Sequence, residues 1–288
     1  MKVCLQCETH IQAQDWFCKR CHWRPENRDG LLIFSPELLE ETTQFFDKEK
    51  FKMLYLLEDS HFWFRARNKL ILWVISTFFS NSKNFLEVGC GTGYVISSIK
   101  KTFTNLVLCA ADIFQEPLFF VRERLNDAVT LMQIDARRIP FVEEFDLIGA
   151  FDVLEHIQED ESVLKQFHLS LTSGGGVILT VPQHPALWSA SDIVARHVRR
   201  YTINELQKKL TRNGFEIVFT TSYVTSLLPL LAITRMLHKK KVASSIELNR
   251  SKLLNQALEK ILDLEILFIK SGARFPVGGT RLVVAKKI

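Results

Sequence analysis

Four cysteines crowd the start of the chain in the pattern C-x2-C-x10-C-x2-C: Cys4, Cys7, Cys18 and Cys21. Two such pairs place four thiolates around one tetrahedral ion, and Zn2+ is the usual occupant of an all-sulfur shell. A closed shell is structural or docks a partner, because a catalytic zinc keeps an open position. Residues 1–25 are too few for a core of their own, so the metal would supply their folding energy. A second constellation begins at Glu87. Glu87-Val88-Gly89-Cys90-Gly91-Thr92-Gly93 follows one apolar run, and Asp112 ends the next. Glycines after a strand let the backbone turn sharply and a ligand approach it. Tyr94 stands where the dinucleotide fingerprint G-x-G-x-x-G needs its last glycine, and no Lys-Ser/Thr pair follows. Both the dinucleotide fingerprint and a P-loop are thereby excluded.

A third group lies further along. Asp152, Glu155 and His156 are spaced i, i+3, i+4 and share one face of any helix they form. The segment from Val181 to Thr202 then carries His184, Trp188, Asp192, His197, Arg200 and Tyr201. Imidazoles titrate near neutral pH, so His156, His184 and His197 are candidate general bases.

The elements that must position these residues alternate. Strands are expected at Asn84–Val88, Leu106–Asp112, Val129–Ile134, Phe145–Phe151, Val177–Val181, Phe215–Thr221 and Thr280–Lys287. Helices are expected at His61–Phe79, after the glycine turn, at Pro117–Leu125, near Asp160–Leu171 and at Thr202–Asn213. Thr202 and Glu205 form a capping-box pattern there. Gly174-Gly175-Gly176 should break the chain between helix and strand. This alternation argues a doubly wound α/β fold with a mainly parallel sheet, whose ligands bind at the carboxyl ends of the strands. The domain would span 61–288. A helical connector over 26–60 precedes it, with a helix start at Ser35-Pro36-Glu37. A helical insertion at about 222–279 interrupts it, holding the basic run His238-Lys239-Lys240-Lys241 and an amphipathic helix from about Asn249 to Lys270.

The pattern E-x-G-x-G-x-G with Asp112 at the end of the next strand resembles class I S-adenosylmethionine (SAM)-dependent methyltransferases, of the methyltransferase 11/12 type. QIDARRIPF (Gln133–Phe141) and FDLIGAFDVLEHIQED (Phe145–Asp160) extend the likeness over about residues 60 to 220. The N-terminal cysteines resemble a zinc ribbon. The resemblance implies a Rossmann-like, seven-stranded methyltransferase sheet preceded by that ribbon. It assigns Gly89, Gly91 and Gly93 to the methionine part of SAM, Asp112 to the ribose hydroxyls and Ile113 to the adenine. Asp135 and Ala136 are assigned to the adenine amino group, and Glu87, Cys90 and Phe151 complete the cofactor set. Arg67 resembles an arginine upstream of the glycine motif in ubiquinone-type O-methyltransferases, where it meets SAM or substrate. In that family a related E-x-x-E-H stretch lies at the substrate side and can hold a metal; Asp152 stands here where the family has Glu. Asp152, Trp188, Arg200 and Tyr201 are the expected substrate contacts. No N-P-P-Y or D-P-P-Y follows the fourth strand, and Cys90 and Cys109 do not sit where a C5-pyrimidine methyltransferase keeps its nucleophile.

Composition sets the frame. With 47% hydrophobic and 24% charged residues the chain is neither disordered nor a disulfide scaffold. MKVCLQCETH lacks the apolar core of a secretory signal, and the longest apolar stretch, Tyr223–Leu237, is shorter than the ~20 residues of a membrane span. A reducing, cytoplasmic location follows, with peripheral membrane contact open. Between Arg196 and Lys241 ten Lys/Arg face Glu205 and Glu216, a net of +8 that leaves −3 for the rest of a +5 chain. The expected function is methyl transfer to a small-molecule or lipid-linked anionic acceptor. Two other readings are compatible: an RNA methyltransferase docking RNA through the ribbon, and a non-catalytic SAM-fold binding protein.

Overall fold

FDLIGAF and VLCAAD are apolar at nearly every position, which a strand requires only when both faces of its sheet are covered. The computed structural model, which describes residues 1–12, 16–39, 48–237 and 251–288, has that arrangement. In chain order its elements are β1 (Lys2–Val3), β2 (His10–Ile11), β3 (Glu26–Arg28), β4 (Leu31–Ile33), α1 (Lys48–Leu57), α2 (Phe62–Phe78), β5 (Asn84–Val88) and α3 (Tyr94–Thr102). Next come β6 (Val107–Asp112), α4 (Gln115–Leu125), β7 (Thr130–Gln133), β8 (Phe145–Phe151), α5 (Asp160–Ser170) and β9 (Leu171–Pro182). The chain continues with α6 (Ala190–Val194), α7 (Ile203–Arg212), β10 (Phe215–Tyr223), α8 (Leu228–Leu237), α9 (Lys252–Lys270) and β11 (Thr280–Lys287).

The main sheet has the order β10-β11-β9-β8-β5-β6-β7-β4-β3. From β9 through β4 all neighbours are parallel, and β11 runs antiparallel between β9 and β10. The seven expected strands are β5 to β11. Strand order reverses between β5 and β8, so the crevice that receives ligands in open α/β sheets lies at their carboxyl ends. One apolar layer packs α2, α3, α4 and α9 on the sheet, and a second packs α5, α7 and the N-terminal segment on its other face.

Two expectations fail. The segment 26–60 is not simply a helical connector: Glu26–Ile33 forms a hairpin whose second strand pairs with β7, widening the sheet to nine strands. Asp29 and Gly30, both at positive φ, make its two-residue turn, and Leu31 and Ile33 are fully buried. An Asp-Gly pair before a short apolar run is a hairpin signal. The three glycines at 174–176 do not break the chain either; β9 runs through them from Leu171. In the insertion, α9 begins at Lys252 with the Ser251 side chain capping its first turn, while His238-Lys239-Lys240-Lys241 and Asn249 lie outside the described residues.

Candidate active site

The glycine turn connects β5 to α3. Gly89, Gly91 and Gly93 all take positive φ. A side chain at Gly89 would collide with Val153, whereas nothing described lies within 4 Å of where a Cβ on Gly91 would stand. The turn therefore presents bare backbone to open space at Gly91. Asp112, buried at the end of β6, locks it in place: one carboxylate oxygen accepts from Gly91 N–H at 2.9 Å, the other from Phe114 N–H at 3.0 Å. Burial raises its pKa to about 6, against those two backbone donors. Each oxygen keeps a further lone pair for a ligand hydroxyl.

Beneath the turn, Glu87 is buried in β5, and its Oε2 has no hydrogen-bond partner among the described residues. Burial pushes its pKa well up, with the nearby Arg67 guanidinium opposing. Such an orphaned carboxylate oxygen costs free energy unless a ligand donor meets it. Arg67 itself is buried, pairs with Asp152 and lies 4.5 Å from the Trp63 ring centroid. Glu87, Arg67, Phe151 and the glycine turn line a cavity of about 120 Å³, with Phe51 and Leu54 of α1 on its wall.

Two residues of this site carry no obvious sequence signal. Glu58, just after α1, accepts from the Thr92 hydroxyl and from Arg124 Nη2 at 3.0 Å. Arg124 also donates to Thr92 O at 3.0 Å and to Tyr55 O at 3.1 Å, and its guanidinium lies 4.3 Å from the Tyr55 ring centroid. Thr92 falls inside the glycine motif, but nothing local marks Glu58 or Arg124. A larger opening of about 270 Å³ around Asp146, Thr172 and Gly175 lies at the opposite edge of the sheet, by the amino ends of β5 and β8, away from these groups.

The loop after β8 brings the third group together in a 3-10 turn, Leu154–His156. Ligand atoms of Glu155, His156 and His197 all lie within 4.8 Å of one another. Glu155 is fully buried with neither oxygen hydrogen-bonded among the described residues, and burial and Asp152 hold its pKa well above the usual range. The His156 and His197 rings meet edge to face at 4.7 Å. Desolvation and His197 lower the His156 pKa to about 4. His197 Nδ1 is 3.0 Å from Asp192 Oδ1. His184 is half-buried, and its Nε2 is buried with no hydrogen-bond partner among the described residues; its pKa is lowered by desolvation and by Arg281 and Arg200. Trp188 is partly exposed beside a short 3-10 turn, Pro185–Leu187.

Other expected contacts are turned elsewhere. Tyr201 is fully buried and donates to Asp160 at 2.6 Å, and Arg200 is held by Asp192 at 2.7 Å and Gln183 O at 3.0 Å. Both brace the loop after β9 from within. Arg199 and Lys209 are paired with Asp160 at 2.6 and 2.5 Å. Three cations of the basic segment are thus paired with two acids outside it. Asp135 is gripped by Arg137, with contacts of 2.8 to 3.1 Å, beside the buried Ala136. Half-buried Ile113 follows Asp112 and accepts from Gln133 through its carbonyl at 3.1 Å. Cys90 is buried against the turn, and burial raises its pKa well up.

The N-terminal cysteines converge. Cys4 Sγ lies 3.5 Å from Cys21 Sγ and Cys7 Sγ 3.6 Å from Cys18 Sγ, with all four sulfurs within 4.8 Å. Sulfurs ~2.3 Å from one tetrahedral zinc stand ~3.8 Å apart, so the donor set fits that ion. The segment is welded to the sheet: Val3 N–H donates to Pro140 O at 3.0 Å, Arg138 donates to Leu5 O, and Trp16 packs edge-on against Phe34 and Phe141 at 4.6 and 5.2 Å.

Residues 56–219, more than half of the chain, match the profile of a family described as "Methyltransferase domain". A mitochondrial ubiquinone biosynthesis O-methyltransferase of Candida albicans is 30% identical over 131 residues, 42% of this chain and 39% of that protein. A malonyl-[acyl-carrier protein] O-methyltransferase of Priestia megaterium is 23% identical over 114 residues, 39% of this chain and 42% of its own length. The chain thus spans about two fifths of these curated relatives. Among solved structures, a Haemonchus contortus phosphoethanolamine N-methyltransferase 2 in complex with S-adenosyl-L-methionine superposes with a TM-score of 0.52 at 18% identity, covering 77% of this chain and 52% of that one.

Proposed function

Because the chain belongs to the methyltransferase-domain family, we propose that it transfers a methyl group from SAM to an oxygen of a small-molecule or lipid-linked acceptor. The observation that carries this reading is the buried cradle at the carboxyl ends of β5 and β6. Gly91 offers bare backbone, Asp112 has free lone pairs, and Glu87 has an orphaned oxygen suited to an ammonium donor. When bound, SAM supplies a methyl group on a positively charged sulfur. Asp112 would hold the ribose hydroxyls, Glu87 the amino group, and Phe151 the apolar wall, while α1 excludes water.

The acceptor side is the cluster after β8. Asp192 orients His197 through Nδ1, which leaves Nε2 to take the proton of an acceptor hydroxyl. His156, its pKa lowered to about 4, is neutral at physiological pH and can accept a hydrogen bond beside it. The O-methyltransferase names of the two curated relatives support oxygen as the acceptor atom. The four cysteines would hold a structural zinc that fastens the N-terminal segment to the sheet.

Calorimetric titration with SAM tests the cofactor reading; loss of the binding heat in Asp112→Ala is expected, and no binding by the unmodified chain overturns it. Radiolabelled methyl transfer from SAM into separated lipid, small-molecule and RNA fractions of a cell extract tests the acceptor. Label confined to RNA would sink the acceptor class proposed here.

A further inference from the structure

Helix α9 is inside out in its charges. Its three acidic residues all turn toward the protein. Glu259 accepts from Arg65 at 3.0 Å and from Lys69 at 2.7 Å; Asp263 accepts from Lys69 at 2.7 Å. Glu265 is buried and accepts from Thr225 N–H at 3.0 Å and Ser226 N–H at 2.7 Å, tying the start of α8 to the middle of α9. The outward stripe carries apolar side chains at helical spacing: Leu253, Ile261, Leu264, Leu267 and Phe268, the last three each about 60% exposed and Leu253 81%. The exposed charges of the helix are Lys252, Lys260 and Lys270, all basic. A second stripe, Leu258, Leu262, Ile266 and Ile269, is buried against the core. Helix α8 repeats the pattern, exposing Leu230 and Ile233.

An ordinary surface helix hides its apolar stripe and shows mixed charge to water. This one buries Glu259 and Glu265, pairs the half-exposed Asp263 with Lys69, and shows leucines flanked by lysines, which is the arrangement of a helix lying in a membrane interface. The occupant's charge is set as well. In sequence, the chain joining the two helices, 238–252, holds Lys239, Lys240, Lys241, Arg250 and Lys252 against Glu247 alone. Anionic lipid attracts such clusters. Among the described residues no helix is long and apolar enough to cross a membrane, so contact is from one side.

We propose that the outer face of α9, with α8, is a docking surface for an anionic lipid bilayer. It stands apart from the methyl-transfer reading, since it requires neither SAM nor an acceptor. Co-sedimentation of the full chain with vesicles tests it, comparing phosphatidylcholine alone with phosphatidylcholine containing phosphatidylglycerol. Binding to the anionic vesicles, weakened by salt, is expected. In the double variant Leu264→Ser/Phe268→Ser, partition should fall about tenfold or more, because each buried large apolar side chain is worth roughly tenfold on its own. Lys252→Glu/Lys260→Glu should remove the preference for anionic lipid. Both pairs are exposed, and unchanged SAM titration and unfolding curves establish that the variants are folded. No binding to anionic vesicles by the unmodified chain overturns the proposal. So does a protein dimer that the Leu264→Ser/Phe268→Ser variant dissociates, because the face would then belong to a second copy.

Discussion

Arg67 of α2 and Asp152, the residue that follows β8, form an ion pair that joins the wall of the cofactor cavity to the substrate-side loop. Asp152 has a left-handed backbone, φ +60, so the chain turns abruptly where the pair forms. Around it stand two buried carboxyls, Glu87 and Glu155, both of which feel the Arg67 charge. The charge of one arginine thus reaches the buried carboxyls on both sides of it.

Arg67→Ala should therefore destabilise the fold by about 3 kcal/mol, the cost of stripping one partner from a largely buried pair. A lower urea midpoint with an unchanged slope is the expected measurement. SAM binding should weaken in parallel. A variant that keeps both properties would show the pair to be incidental.

The Asp112 carboxyl, raised to about 6, predicts opposite pH trends for binding and stability. The native chain holds this proton at pH values where the unfolded chain has lost it. The stability from this group is thus complete below its ordinary pKa of 3.8 and is lost as pH rises through about 6. SAM hydroxyls need the ionised form, so affinity should drop about tenfold for each pH unit below that value. Calorimetry at pH 5 and 7.5 checks the second trend, and Asp112→Asn should flatten both.

Cys18→Ser should abolish stoichiometric zinc, measured by metal analysis of the purified chain. Because Trp16 packs on Phe34 and Phe141, tryptophan fluorescence should shift as the N-terminal segment releases from the sheet. Chelation of the unmodified chain should give the same spectrum. Asp112, Glu87 and the glycine turn lie on other elements, so SAM affinity should survive.

The parts legible in the sequence are those with local signatures. The seven strands, the glycine turn and the C-x2-C pairs each follow from spacing within a few residues. The β3–β4 hairpin was also written locally, in Asp29-Gly30, but the edge of a sheet has no periodicity that says which strand it joins. The internal partners of Tyr201 and Arg200 were not legible for a different reason. A polar residue on such a loop looks the same whether it faces a ligand or turns inward; Asp160, 41 residues before Tyr201, and Asp192, 8 residues before Arg200, hold these two inward. Glu58 and Arg124 meet across 66 residues and leave no local trace.

That last pair makes α1 a latched cover. Phe51 and Leu54 of α1 line the same cavity of about 120 Å³ as Glu87 and the glycine turn, so a ligand seated there touches this helix. Arg124 fastens the end of the helix at Glu58 Oε2, Tyr55 O and Thr92 O. In Arg124→Ala the buried Glu58 keeps the Thr92 hydroxyl but loses its charged donor, and a hydrogen bond to a charged group contributes about 1.5–3 kcal/mol. The covered state loses that amount relative to the open one. Amides of residues 48–57 should exchange hydrogen faster, and SAM should dissociate about tenfold or more faster by stopped-flow, with association also quickened. If exchange accelerates across the whole chain instead, the arginine holds the fold rather than the cover. Unchanged rates in both measurements would mean that α1 moves without breaking this contact.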